Sequence, residues 1–566
     1  MNVPDYVLFI AFTIIAVSVF TIIKNMNSAR KLRRKISDQW GTSPVEKYRD
    51  EELQAIKYYY DNLLNAEAKS NKNFLDDITW NDLDMDDIFK CINSTHSSVG
   101  EEYLYALLRE PVIDGKILLE RNRLIELFRN DEKLRMRLQY ILARLGKKRF
   151  AGVSNYFFST AKYTPFKRIR YIIQLAIFLL SPFILAYDVS TGVLVMIMCF
   201  IVNMTTYYKA KNELSAELDT MSYMVNLITC SIKLARINAP DLEEYAGRIR
   251  KLTSRIKNTG IKSFYQIFYN TQNELFEYFK IIFLAELIAF EGINKKVIKH
   301  RKELRELYEL VGLLDSMLSL ASYRERLNYY AVPNLFSTDI AHKPEIAFQD
   351  IYHPLINEPV ANSLEMKKPV LITGSNASGK STFLKTVAVN AIFAQTIYTC
   401  LAKSYKSSYF LIYTSMALKD NLLNNESYYI TEIKSLKRIL DGLNGEIPIF
   451  CVIDEVLRGT NTIERIAASS QIMYYLSGKN CICLTATHDI ELAGILKEHF
   501  DNYHFMESFK ENNIVFDYKI YPGKSSTRNA IKLLEIMGYP EETVIEARIS
   551  AEYFEKEGTW QPGSSK

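Results

Sequence analysis

The sequence contains no Cys-x-x-Cys pair among its seven cysteines, Cys91, Cys199, Cys230, Cys400, Cys451, Cys481 and Cys483. That excludes a zinc site of ordinary spacing, and with two of the thiols inside one apolar run, Cys481-Ile-Cys483, they read as buried groups in a reducing compartment. A large charge of one sign is missing too: 70 Lys and Arg stand against 65 Asp and Glu, a net +5 with a pI near 8.5. So mild an excess neither demands nor excludes a nucleic-acid partner. No internal repeat or low-complexity tract is evident. With 48% apolar and 24% charged residues in 566, the chain is composed like a folded protein long enough for several domains.

What is present concentrates around residue 374. Gly374-Ser-Asn-Ala-Ser-Gly379-Lys380-Ser381 follows the apolar run Pro369-Val-Leu-Ile-Thr373 and precedes a helical run starting at Thr382. Glycines at both ends let the backbone curl so that successive N–H groups face phosphate oxygens at the positive end of the next helix. Residues Gly374, Ser375, Asn376, Ala377, Ser378, Gly379, Lys380, Ser381 and Thr382 are therefore expected to hold ATP. Lys380 would reach the outer phosphates and the Ser381 hydroxyl would hold Mg²⁺. Downstream, Ile447-Pro-Ile-Phe-Cys-Val-Ile453 has the pattern of a buried strand and ends in Asp454 and Glu455. Asp454 suits the Mg²⁺ shell, and Glu455 suits activation of the attacking water. A further apolar run, Cys481 to Thr485, leads into His488, which is expected to reach the γ-phosphate from a neighbouring strand.

These residues also carry a family resemblance. Leu371 to Lys385 resembles the phosphate loop of the MutS mismatch-repair family, with Asn376 matching and Ser375, Ala377 and Ser378 departing from its usual TGPNMGGKST. Asp454-Glu-Val-Leu-Arg-Gly-Thr-Asn-Thr462 is similar to the family's DEIGRGTST element, and Thr485-Ala-Thr-His-Asp489 to its ATH motif. Tyr352-His-Pro-Leu355 and Asn357-Glu-Pro-Val-Ala-Asn362 resemble the segment that abuts the adenine, which implies a contact by Val360. The segments 523–530, 536–540 and 544–547 resemble its closing helices. The resemblance covers roughly residues 340 to 550. It implies an ATP hydrolase with catalytic Glu455, His488 and Lys380, working as a homodimer with composite sites. Asn424 to Ile433 resembles the serine-bearing loop contributed by the opposite subunit, making Ser427 the trans residue, although Asn425 and Glu426 replace the expected glycine and arginine. An acidic Glu426 facing phosphates would repel them, so it points away or turnover is slow.

Apolar runs add a second theme. Tyr6 to Ile23 holds eighteen uncharged residues followed by Lys24 and Arg30-Lys-Leu-Arg-Arg-Lys35, enough for one span by the rule of about 17 to 25 residues. Asp5 and the lack of a cleavage site argue against a signal peptide. Two further runs, Tyr171 to Tyr187 and Thr191 to Tyr208, are joined by Asp188-Val-Ser190 and flanked by basic residues, the pattern of a hairpin with both ends cytoplasmic. A buried helical hairpin is the competing reading, since Pro182 interrupts the first run. The expected localisation is a multi-pass inner or cell membrane, with the N-terminus outside and the ATPase end cytoplasmic.

The fold class expected is multidomain: an α-helical core and lever region with transmembrane helices, plus a C-terminal α/β P-loop ATPase, ABC-like and of MutS domain V type. The expected segments are an anchor (1–24), a juxtamembrane helical segment (25–75), a core-like helical region (76–170), the hairpin (171–208), lever-like helices (209–335), the ATPase (340–556) and a tail (557–566). Arg248, Arg250, Lys251, Arg255 and Lys257 are read as a solvated face rather than as DNA contacts. Residues 24 to 75 are too few for a mismatch-sensing domain, and Phe505-Met-Glu507 matches the family's Phe-x-Glu wedge only within the ATPase. The function expected is a membrane-anchored, MutS-like, ATP-dependent clamp that binds double-stranded or branched DNA without sensing mismatches itself. A nucleotide-switched tether for an unknown protein partner is the alternative. So is an ABC-type motor, although its Leu-Ser-Gly-Gly-Gln signature is missing before the Asp-Glu strand.

Overall fold

The computed structural model describes residues 5–44, 48–67, 73–148, 152–158, 166–257, 274–338, 343–375, 378–416, 428–443, 445–510, 513–524 and 530–560. The segments 376–377 and 424–427, with the expected contacts of Asn376, Ala377 and Ser427, lie outside the described residues. The chain forms two compact units. One comprises residues 1–72, 89–108 and 120–327, and the other 73–88, 109–119 and 328–566.

The first unit is helical. At its centre the helix Arg301–Arg326 crosses the helix Ser98–Leu108, and the crossing is close because glycine occupies it from both sides. A Cβ at Gly312 would stand 2.6 Å from that of Tyr103, and one at Gly100 would meet Asp315. Asp315 is fully buried and accepts from the N–H of His96 and Ser97 and from the Ser97 hydroxyl, so the donors opening Ser98–Leu108 are satisfied from the crossing helix. Asp131 caps the helix Glu132–Leu145, and Gly146, at φ +72°, ends it.

The helices Phe166–Leu185 and Val189–Glu213 form an antiparallel pair opened by Asp188, which accepts from the N–H of Ser190 and Thr191. Pro182 does not interrupt the first of them. Proline removes a donor to the carbonyl four residues back, Phe178, and the Ser181 hydroxyl takes that carbonyl at 2.7 Å. Ile173, Ile177, Leu180, Phe183, Leu194, Ile197 and Met198 are exposed along the pair. Among the described residues one helix, Val189–Glu213, is long and apolar enough to cross a membrane. The apolar run beginning at Tyr6 continues without a break through the basic stretch as one 35-residue helix, Asp5–Gln39. On the helix Glu243–Lys257, Arg248 pairs with Glu306 and Arg250 with Glu243, both exposed.

The second unit is built on two sheets. The larger has six strands in the order β10-β9-β4-β8-β7-β6: β4 (Val370–Thr373), β6 (Leu411–Ser415), β7 (Ile449–Asp454), β8 (Cys481–Thr487), β9 (Asp501–Lys510) and β10 (Asn513–Pro522). All run parallel except β10. β4 and β8 are buried along their whole length, as runs of Val, Ile, Leu and Cys covered on both faces should be. The smaller sheet orders β1 (Asn334–Phe336), β5 (Ser404–Ser408), β2 (Ile346–Ile351) and β3 (Asn362–Met366). The helix Lys380–Thr396 is buried nearly all round, each large apolar side chain contributing roughly 1.5–3 kcal/mol.

Segments 73–88 and 109–119, which the sequence places with the helical region, belong to this second unit. The Asp82 carboxylate accepts from the Thr414 hydroxyl at 2.7 Å and from the Met416 N–H at 3.0 Å, closing the end of β6. Asp84 pairs with Lys385 at 2.6 Å, Asp76 with Arg438 at 2.5 Å, and the Arg109 guanidinium lies 4.1 Å over Trp80.

Candidate functional site

The site is assembled by strand register. Thr373 of β4 lies opposite Thr487 of β8, and Asp454 of β7 opposite Ala486, so the residues that follow these three strands emerge side by side at one sheet edge. They are Gly374, Glu455 and His488. Adjacent strands lie about 4.8 Å apart, close enough for the groups around that edge to touch. The expected location of ligand binding in such a sheet is outside the carboxyl ends of its strands.

Gly374 has φ +147° and Gly379 φ +101°, which side-chain-bearing residues rarely adopt. A side chain there would also be crowded: a Cβ at Gly374 would come within 3.2 Å of the Phe505 carbonyl, and one at Gly379 within 3.1 Å of the Tyr518 ring. Gly379 opens the helix Lys380–Thr396 without a side-chain cap. Its first-turn N–H groups and the positive end of its dipole therefore face the cleft. The Lys380 ammonium is turned onto the carbonyls of Gly374 and Ser375, each at 2.7 Å, and lies 3.5 Å from His488 Nε2. Burial brings its pKa down to about 8, against the opposing pull of Asp454, Glu455 and Glu507.

Glu455 sits at φ +61° and Leu457 at φ +58°, two left-handed non-glycine residues costing of order 1–3 kcal/mol each. The Glu455 carboxylate lies 3.1 Å from His488 Nε2 and accepts from Arg458 Nη2 at 2.8 Å. Burial would raise its pKa, but the His488 hydrogen bond and the charges of His488 and Arg458 hold it below the ordinary glutamate value. The His488 turn is itself fixed, because Asp489 takes a two-pronged contact from Arg465 at 2.7 and 2.9 Å.

At its other end the cleft is apolar. It encloses about 660 Å³ and is lined there by Ile351, Ile356, Pro359, Val360, Phe383 and Phe505, with Ser381, Thr382 and Asp454 toward the polar end. His353 lies here, its pKa pushed down to about 4 by burial and by the Lys385 charge, against the pull of Asp84. Its Nδ1 accepts from the Leu355 N–H at 3.3 Å, which leaves the hydrogen on Nε2, a buried atom with no partner among the described residues. Asn362 stitches this wall together. Its amide donates to the Tyr518 carbonyl at 2.9 Å and accepts from the Ile520 N–H at 3.0 Å, tying β3 to β10.

The structure thus brings together Gly374, Ser375, Ser378, Gly379, Lys380, Ser381, Thr382, Val360, Asp454, Glu455 and His488. Sequence reasoning gave no role to Arg458, although it stands inside the quoted Asp454 to Thr462 element, nor individually to His353 and Asn362, which stand in the two segments likened to the adenine wall. Glu507, quoted there only as a wedge match, accepts from the Ser375 hydroxyl. Phe505 and Glu507, which match the spacing of a mismatch wedge, are parts of this site: Phe505 packs edge-on against Phe383 with ring centres 5.8 Å apart.

Residues 370–555 match the family model for MutS domain V. The chain is 28% identical over 294 residues to the DNA mismatch repair protein MutS of Thermus thermophilus, covering 51% of this chain and 35% of that protein. It is 30% identical over 272 residues to human MutS protein homolog 4, covering 45% and 28%, and 28% identical over 346 residues to the MutS of Lactobacillus johnsonii, covering 58% and 36%. The chain therefore spans about a third of the length of the curated relatives it matches. With its phosphate loop followed by Asp454, Glu455 and His488, the α/β second unit carries a domain that matches MutS domain V, and about half of the chain is similar to MutS proteins.

Proposed function

We propose that the chain is an ATP hydrolase in which Glu455 is the general base. The observation that carries this reading is the contact of Glu455 with His488, and of His488 with Lys380, at the mouth of a glycine loop. The donors suit a nucleoside triphosphate: the buried ammonium of Lys380, a helix N-terminus, and the Nε2–H of His353 in the wall of the same cleft. Ser381 and Asp454 would hold Mg²⁺, which neutralises charge on the phosphates when bound. Glu455, ionised, accepts the proton of the attacking water. His488 orients that carboxylate from one side and Arg458 from the other. Lys380 leaves the two carbonyls and draws on the outer phosphates.

The working unit in this reading is a homodimer with Ser427 completing the partner's site, and the moving helical unit holds double-stranded or branched DNA. Support for the DNA partner comes from relatives named as DNA mismatch repair proteins, and support for the homodimer from the likeness of Asn424 to Ile433 to a serine-bearing loop that acts in trans. Membrane anchoring is supported by the exposed apolar pair Phe166–Leu185 and Val189–Glu213 and by the uncharged run in Asp5–Gln39. In this topology the N-terminus lies outside and the ATPase inside. Phe505 and Glu507 serve the ATP site, so the proposed DNA contact includes no mismatch wedge from them.

Purified protein should hydrolyse ATP, and Lys380→Ala should abolish hydrolysis. If the two proteins hydrolyse ATP equally, the reading is wrong. Release of the protein from membranes by alkaline carbonate would refute the anchoring, and binding to no duplex at any salt concentration would refute the DNA partner.

A further inference from the structure

The loop that aims Glu455 is left-handed at two non-glycine residues, Glu455 and Leu457, so something outside it must hold it in place. Successive backbone N–H groups in such a loop converge into a concave nest that favours an anion. Here the anion is supplied by the protein. Glu432, on the helix Tyr428–Gly442, is 7% exposed, and its Oε1 accepts from the Arg458 N–H at 3.1 Å. Burial raises the Glu432 pKa, and the N–H groups of Arg458, Leu457 and Gly459 pull it back down. Its Oε2 is buried and has no hydrogen-bond partner among the described residues. The helix and the loop also meet without a gap: a Cβ added at Gly459 would lie 3.0 Å from that of Tyr429. From the opposite side Ser469 donates to the Val456 carbonyl at 3.0 Å, so the loop is held on two sides by residues that do not line the cleft.

We propose that Glu432 is a positioning residue for hydrolysis: its carboxylate fills the backbone nest at 457–459 and thereby fixes the strained turn that points Glu455 at the attacking water. The proposal rests on the ATPase reading above. Glu432 touches neither nucleotide nor water, so its removal should leave binding intact and lower turnover.

Two measurements on the full-length protein test it. In steady-state assays Glu432→Ala should lower kcat about 10-fold or more with the KM for ATP within about 2-fold, the split expected when an interaction acts only on the chemical step. Glu432→Gln retains one acceptor oxygen and should fall less; Glu432→Asp is one methylene too short and should not recover the rate. Independently of any hydrolysis, trypsin should cut after Arg458 about 10-fold faster in nucleotide-free Glu432→Ala than in the unaltered protein, because the released loop opens to the protease. Unchanged cleavage at Arg458 overturns the proposal, and so does faster cleavage with unchanged kcat. Loss of kcat and of ATP affinity in parallel, with a lowered melting temperature, shows a merely structural role and overturns it as well. Absence of Lys380-dependent hydrolysis in the unaltered protein is a separate result: it removes the ATPase reading, and the catalytic role of Glu432 with it, whatever the protease shows.

Discussion

Lys380 should take up a proton when the nucleotide binds. In the nucleotide-free site burial brings its pKa from 10.5 to about 8. Phosphate oxygens beside the ammonium would restore the charged form and return the pKa to above about 10. The fraction deprotonated before binding is then about 0.1 at pH 7, about 0.5 at pH 8 and about 0.9 at pH 9, and that fraction equals the protons taken up per site. Isothermal titration of a non-hydrolysable ATP analogue, in buffers of differing ionisation enthalpy at each pH, reads the number directly. Uptake that is flat from pH 7 to 9 would refute the reasoning, and so would proton release. The same shift bears on stability. Between pH 8 and 10.5 the unfolded chain binds the extra proton, so stability without nucleotide rises with pH across that window. The shift of 2.5 units is worth about 3 kcal/mol. Saturating nucleotide should remove that slope.

Glu455→Gln should still bind the ATP analogue while hydrolysis falls on the order of 10²–10⁴-fold, measured by phosphate release. Hydrolysis at the normal rate would exclude Glu455 as the base. Gly379→Ala forces an alanine to φ +101° against Tyr518, and equilibrium binding should show ATP affinity reduced at least about 10-fold with the fold intact by circular dichroism. Asp315→Ala leaves the buried donors of His96 and Ser97 unmatched, a cost of about 3 kcal/mol that should appear as a lower unfolding temperature for the helical unit and no change in ATP binding. Mixing Ser427→Ala with Lys380→Ala subunits should restore part of the activity if the sites are shared between subunits; no recovery would argue for self-contained sites.

The candidate site was legible where chemistry is local in sequence. Gly374 to Ser381 form one turn, and the apolar runs before Asp454 and His488 announce parallel strands whose ends must meet at one edge. Glu432, Glu507 and Asn362 stood inside quoted stretches, but their roles were hidden, because each acts across a strand or helix whose register only the folded chain sets. Ser375 finds Glu507 because β9 lies beside β4, a pairing no spacing rule predicts. Pro182 was misleading for a different reason: proline's cost depends on whether the freed carbonyl finds another donor, and Ser181 is that donor. The origin of segments 73–88 and 109–119 within the second unit was hidden as well, since Asp76, Asp82 and Asp84 look like any solvated acidic cluster until Arg438, Thr414 and Lys385 stand opposite them.

Those early segments have a practical meaning for anyone wishing to study the α/β unit by itself. A fragment beginning near residue 328 would look complete by its motifs, yet it would lack Asp76, Asp82 and Asp84. It would leave the Arg438 and Lys385 cations uncompensated and the Thr414 hydroxyl and N–H, which bind Asp82 and Thr79, facing water. The Val112 N–H, which donates to the Gln395 carbonyl behind the phosphate-loop helix, would go with them. The polypeptide commits to this unit twice before residue 120, long before the phosphate loop is synthesised. The second unit is therefore assembled from three separated stretches of sequence.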